Sequence, residues 1–133
     1  MDLSLAGIRV LDFSRFFAGP VCGMLLADMG AEVIRIDSPQ GEMDRTYSLL
    51  GPDGETITFK AVNRGKKGIT LLLNSEEGAA ILEELVRHSD VVIHNFVPHS
   101  SLARRLNYDD LKKVNPRIVV SAVTGYGQYG PHA

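Results

Sequence analysis

The chain has 133 residues, of which 44% are apolar and 23% charged, enough for one domain with a real core and close to the soluble globular average. Fourteen Lys and Arg against sixteen Asp and Glu give a net charge of -2, which argues against a nucleic-acid binder working through a broad basic face. A single cysteine, Cys22, excludes an internal disulfide framework and a cysteine-rich metal site.

Residues 1 to 25 lack the charged start and unbroken apolar core of a secretory signal, and no run reaches transmembrane length, so the expected location is cytoplasmic. Gly7 to Phe13 reads as a strand. Ser14 to Gly19 reads as a loop, with Pro20 opening a helix that carries Val21, Met24, Leu25, Ala27 and Met29 and stops at Gly30. Glu32 to Ile36 is a second strand. Asp37 to Glu55 holds Pro39, Gly41, Gly51, Pro52 and Gly54 and reads as irregular. Thr56 to Asn63 fits a strand or a short helix, with helix preferred, and Gly68 to Leu73 reads as a buried strand. Ser75 caps a helix with Glu76 and Glu77 in its first turn and a stripe of Ile81, Leu82, Leu85 and Val86. Asp90 to His94 is a strand, Tyr108 to Val114 a short helix closed by Asn115 and Pro116, and Ile118 to Val123 a last strand.

Apolar strands alternating with helices predict an α/β fold: a doubly wound, mostly parallel sheet of about five strands with helices on both faces. Ligands of such sheets sit outside the carboxyl ends of the strands, where the strand order reverses. With the order 3-2-1-4-5, the predicted cleft is lined by Ser14 to Pro20 and Asn95 to Ser101.

The first loop, Ser14 to Pro20, has no G-x-G-x-x-G, which disfavours a nicotinamide enzyme. Asp37 closes the second strand and, without those glycines, reads as an ordinary surface acid. Phe16 and Phe17 either face a ligand in the cleft or tuck under the loop into the core. Arg64, Lys66 and Lys67 form one basic turn and Arg104 with Arg105 a basic pair; each group either meets phosphate or is solvated surface charge. His94 and His99 lack the partners and spacing of a metal site, and Cys22 reads as a packed small hydrophobe. Asn95 and Phe96 stand at the cleft mouth as a nucleotide or pantetheine contact or as a plain turn. The Gly125 to Pro131 segment is either a mobile active-site loop or a frayed end.

Six successive blocks, LAGIRVLDFSRFFAGP from Leu5, MLLADMGAEVIRID, VNRGKKGITLLL, DVVIHNFVP, LNYDDLKKVNPRIV and TGYGQYGP, resemble the class III CoA-transferase family, also called CaiB/BaiF. The family includes formyl-CoA and carnitine CoA-transferases and α-methylacyl-CoA racemases. The resemblance implies that residues 1-133 form an N-terminal, Rossmann-like, CoA-binding domain in proteins that make interlocked dimers. It implies CoA contacts at Arg15, Phe16, Phe17, Ala18, Leu71, Asn95, Phe96 and Arg104. Ser38 stands where some members carry arginine and Asn74 where many carry lysine, so Asn74 joins the set with altered phosphate contacts; either Arg104 or Arg105 matches the family arginine.

Family transferases use an aspartate to attack the acyl-CoA thioester, and the racemases use a His and an Asp, in both cases downstream of the glycine-rich block. The resulting expectation is the CoA-binding portion of an acyl-CoA:carboxylate CoA-transferase with no catalytic residue of its own. A racemase-like portion and a non-catalytic CoA-binding or assembly module are the alternatives. Coenzyme A or its thioester enters as substrate, with no tightly bound cofactor and no metal. The expected partners are a CoA thioester, a carboxylic acid and a second copy or complementary chain, with no nucleic acid and no membrane.

Overall fold

The structure is a computed structural model that describes residues 3–132. Five parallel strands, β1 (Arg9–Asp12), β2 (Glu32–Asp37), β3 (Lys67–Thr70), β4 (Val91–His94) and β5 (Val119–Ala122), form one sheet in the order β3-β2-β1-β4-β5. Each pairs in register with its neighbours, Leu11 lying between Ile34 and Val92. The order reverses between β1 and β4, as in the usual order 3-2-1-4-5 taken for the predicted cleft.

Strand side chains alternate between two cores. Val10, Val33 and Ile93 face α1 (Ala18–Asp28), where Cys22 and Leu26 pack on them, and α2 (Ile57–Asn63) lies against α1. Leu11, Ile36 and Val92 face the opposite side, under Leu82 and Val86 of α3 (Glu76–Arg87) and Leu111 of α5 (Tyr108–Val114). Helices thus cover both faces of an α/β sheet.

Local chemistry sets the helix starts. Thr56 caps α2 by accepting the Phe59 N–H at 3.1 Å, and Ser75 caps α3 by accepting the Gly78 N–H at 2.9 Å. Gly78 is required for a second reason: a Cβ there would stand 1.9 Å from the Leu72 carbonyl oxygen.

Three expectations need correction. β3 is the edge of the sheet and its residues are exposed; the burial expected of Gly68 to Leu73 belongs to Leu71 and Leu73, which follow the strand. α1 begins at Ala18, two residues before Pro20, because the first four helical N–H groups have no intrahelical partner and proline costs nothing there. A short helix α4 (Ser101–Arg105) was not expected; Ser100 starts it by accepting the Ala103 N–H at 3.2 Å.

Candidate functional site at the carboxyl edge of the sheet

The edge is built on buried charge. Asp12, the last residue of β1, is fully buried; its Oδ1 accepts the Ser14 N–H at 2.9 Å and the Ser14 hydroxyl, and its Oδ2 accepts Lys66 Nζ at 2.7 Å. The other two Lys66 donors go to the Pro20 carbonyl at 2.8 Å and Asn63 Oδ1 at 2.9 Å, so this ammonium is satisfied inside the protein. Burial pushes the Lys66 pKa down, against the opposing charge of Asp12. Gly23 lets α1 approach this pair, since a Cβ there would lie 2.6 Å from Asp12 Oδ2.

The basic turn therefore comes apart on folding. The Lys66 side chain is 2% exposed and neither solvated nor open to phosphate, while Arg64 pairs with Asp28 at 2.5 Å and Lys67 with Glu32 at 2.5 Å on the surface.

Asp37 is likewise no surface acid. It accepts Arg35 Nε at 2.7 Å and Arg45 Nη2 at 2.7 Å, and Arg35 Nη2 reaches both oxygens of buried Asp44 at 3.0 Å. Burial alone would raise the Asp37 carboxyl; the hydrogen bond from Arg45 and then the charge and hydrogen bond of Arg35 outweigh it and hold it below the usual carboxylate range. The Phe59 ring lies 4.9 Å from the Arg35 guanidinium carbon and 4.1 Å from that of Arg45. Asp44 also accepts the Phe16 N–H at 3.0 Å and so ties down a residue whose φ of 65° is unusual outside glycine.

Arg15 and Asn95 join the two segments that the sequence places at the cleft. The Asn95 carboxamide accepts the Arg15 N–H and donates to the Arg15 carbonyl, both at 2.8 Å. The gap between β1 and β4 is closed at that point, and open space lies to either side. On the β2 and β3 side, a cavity of about 280 Å³ is lined by Arg15, Leu71, Asn74 and Phe96 together with Ser38 and Glu42. The Arg15 guanidinium lies 5.8 Å from the Phe96 ring.

The remaining candidates fall elsewhere. Phe16 and Phe17 are 46% and 61% exposed, so neither tucks into the core; they line a second cavity of about 270 Å³, and Phe16 meets Tyr47 edge-on. Arg104 lines a third, of about 420 Å³, on the β4 and β5 side; Arg105 is not among its lining residues. Ala18 is the exposed first residue of α1.

His94 and His99 both line the third cavity, yet among the described residues no group of three or more His, Cys, Asp and Glu is placed to hold a metal ion. His94 is buried with no partner for Nδ1, and burial pushes its pKa down. Cys22 is half-buried against the core around Val10, and burial, aided by Asp12, pushes its thiol up. Among the described residues no helix is long and apolar enough to cross a membrane.

The chain is similar to known proteins along nearly its whole length. The model of the family described as CoA-transferase family III matches residues 5–133. The chain is 41% identical over 131 residues to the succinyl-CoA–L-malate CoA-transferase beta subunit of Chloroflexus aurantiacus, covering 98% of this chain and 32% of that protein. It is 40% identical over 129 residues to formyl-CoA:oxalate CoA-transferase of Streptomyces coelicolor, covering 97% and 31%. A crystal structure of a CaiB/BaiF family protein from Brucella suis superposes with a TM-score of 0.88 at 38% identity, over 99% of this chain and 36% of that one. The chain thus spans about a third of the length of the relatives it matches. Because the match runs through all five strands and through both segments that Asn95 joins, the chain belongs to CoA-transferase family III.

Proposed function

We propose that this chain forms the CoA-binding portion of an acyl-CoA:carboxylate CoA-transferase, as the names of its relatives suggest. The observation that carries the reading is the cavity at the carboxyl edge, where Arg15, Leu71, Asn74 and Phe96 converge from three different connections. An aromatic face, apolar walls and polar groups within one cleft suit an adenine nucleotide with a pantetheine arm. Phe16, Phe17 and Ala18 beside it and Arg104 beyond α4 would extend the contact surface, while Asn95 fixes the first loop. Coenzyme A enters as substrate in its thioester, with no tightly bound cofactor; a carboxylic acid is the second substrate.

In such a transfer, a carboxylate oxygen attacks the thioester carbonyl, the C–S bond breaks and the CoA thiolate leaves; covalent catalysis of this kind divides one hard step into two. The carboxylates of this chain at the sheet edge are unsuited to it. Asp12, Asp37 and Asp44 are each buried and held by a Lys or Arg, which supports a nucleophile supplied by other residues of the enzyme. Exposed Met43, Tyr47, Leu49, Leu50 and Ile57, with Phe17, supply apolar surface for a second copy or a complementary chain. A cytoplasmic setting accords with the free Cys22.

Calorimetric titration of CoA into the chain tests the site. Phe96→Ala is expected to weaken binding about tenfold or more, the usual cost of losing one stacked ring, and Arg104→Ala to weaken it less. Unaltered affinity in both variants would remove the assignment. Acyl-CoA turnover by the chain alone would reveal an unrecognised nucleophile.

A further inference from the structure

Four of the five N–H donors of the Arg15 guanidinium make hydrogen bonds. Three go to main-chain carbonyls: Phe13 at 2.8 Å and Ser14 at 3.0 Å from Nη1, and Ile36 at 3.0 Å from Nη2. These carbonyls lie at the ends of β1 and β2 and hold the guanidinium plane in place. The fourth goes to a carboxylate, Nη2 donating to Glu42 Oε1 at 2.6 Å, and Nε stands 2.6 Å from Glu42 Oε2 as an ion-pair contact. The Ser38 N–H adds a second donor to Oε1 at 2.7 Å.

A guanidinium facing both oxygens of one anion, with a main-chain N–H beside it, is a group of the kind with which proteins hold phosphoryl groups. Here it stands at the wall of the cavity that also holds Leu71, Asn74 and Phe96, and Glu42 reaches into it from a loop. Before Glu42 the turn closes on itself: the Gly41 N–H donates to the Ser38 carbonyl at 3.0 Å, the Ser38 hydroxyl donates to the Gly41 carbonyl at 2.9 Å, and Gly41 takes a φ of 84°. After it, Asp44 and Arg45 are anchored on Arg35 and Asp37. The guanidinium is anchored by strand ends, whereas the anion is carried on the local turn of residues 38 to 42.

We infer that Glu42 is an internal stand-in for a ligand phosphoryl group: its carboxylate fills an anion site made by Arg15 and the Ser38 N–H, and a phosphoryl group of the incoming nucleotide displaces it. This rests on the CoA-binding reading above and adds a regulation to it. Without ligand, the carboxylate keeps the nearly buried Arg15 charge compensated, which would otherwise be costly. With ligand, a phosphoryl group brings more charge and more acceptor oxygens to the same groups. The apparent affinity is then reduced by the fraction of molecules in which Glu42 has vacated the site. A ligand without a phosphoryl group cannot displace it.

The test compares wild type, Glu42→Gln, Glu42→Ala and Arg15→Gln by calorimetry, with CoA and with inorganic pyrophosphate as probes, after thermal melts show which variants fold. Both Glu42 variants are expected to bind either probe about tenfold more tightly than wild type, as for a competitor that occupies the site nine-tenths of the time. Arg15→Gln is expected to bind more weakly than wild type. CoA binding that is equal or weaker in both folded Glu42 variants overturns the displacement and leaves the CoA reading intact. Absence of CoA binding in every protein overturns the CoA reading, and the pyrophosphate arm then decides the anion site alone: tighter binding by the Glu42 variants upholds it, and no gain overturns it.

Hydrogen exchange of the wild-type chain gives a readout independent of any variant's folding. Saturating probe is expected to speed exchange across residues 39–45, whose Gly41 and Arg45 amides are now bonded within the turn. Unchanged or slower exchange there marks Glu42 as a fixed structural acid and overturns the inference.

Discussion

Asp37 shows how a single residue sets the acid limit of the site. Its folded-state pKa is held below the ordinary value by Arg45 and Arg35 in spite of burial, so it contributes stability above about pH 4 that is lost as the pH falls through the folded-state value. Asp37→Asn removes one partner of a buried ion pair and is expected to cost about 3 kcal/mol at pH 7. The deficit relative to wild type shrinks as the pH falls below 4. Urea midpoints of the two proteins at pH 7 and pH 3 measure it; a constant difference at both would mean that the carboxylate's charge is not what Arg35 and Arg45 recognise.

At the scale of elements, α3 is where close approach outweighs helix propensity. Gly to Ala in a helix ordinarily gains about 1 kcal/mol, yet a Cβ at Gly78 would collide with the Leu72 carbonyl, and backbone cannot yield as a flexible side chain can. Gly78→Ala is expected to destabilise by about 1–3 kcal/mol. Ser75→Ala, which removes only the cap, is expected to cost about 1 kcal/mol. Thermal melts of both variants separate the two effects, and a stabilised Gly78→Ala would refute the close contact. The same region shows the reach of pattern reading. The Ser75 cap and the α3 stripe are local signals and were legible, whereas the exposure of β3 was not, because an apolar run looks the same at a sheet edge as at its centre. The helix α4 spans only five residues, too few to show a period.

For the whole molecule, the apolar side chains exposed between Met43 and Ile57 are expected to set the behaviour in solution. The chain is expected to self-associate with rising concentration, and Leu49→Lys combined with Tyr47→Lys to reduce this without lowering the melting temperature. Sedimentation velocity measures it, and a wild-type chain that stays monomeric would leave this surface without a role.

What the sequence determined by itself was the alternation of elements, the mostly parallel sheet and the family, because each is written in short-range periodicity or in contiguous blocks. The strand order, supposed as the usual one, was decided by the tertiary pairing. Tertiary structure decided which charges meet. Asp12 and Lys66 are 54 positions apart, Phe16 and Asp44 28, and Arg15 and Glu42 27. No local pattern distinguishes a lysine that will be buried on an aspartate from one that will face solvent. The reason is physical: an ion pair forms where the fold brings two side chains within a few ångströms away from water, and that distance exists only after the strands have paired.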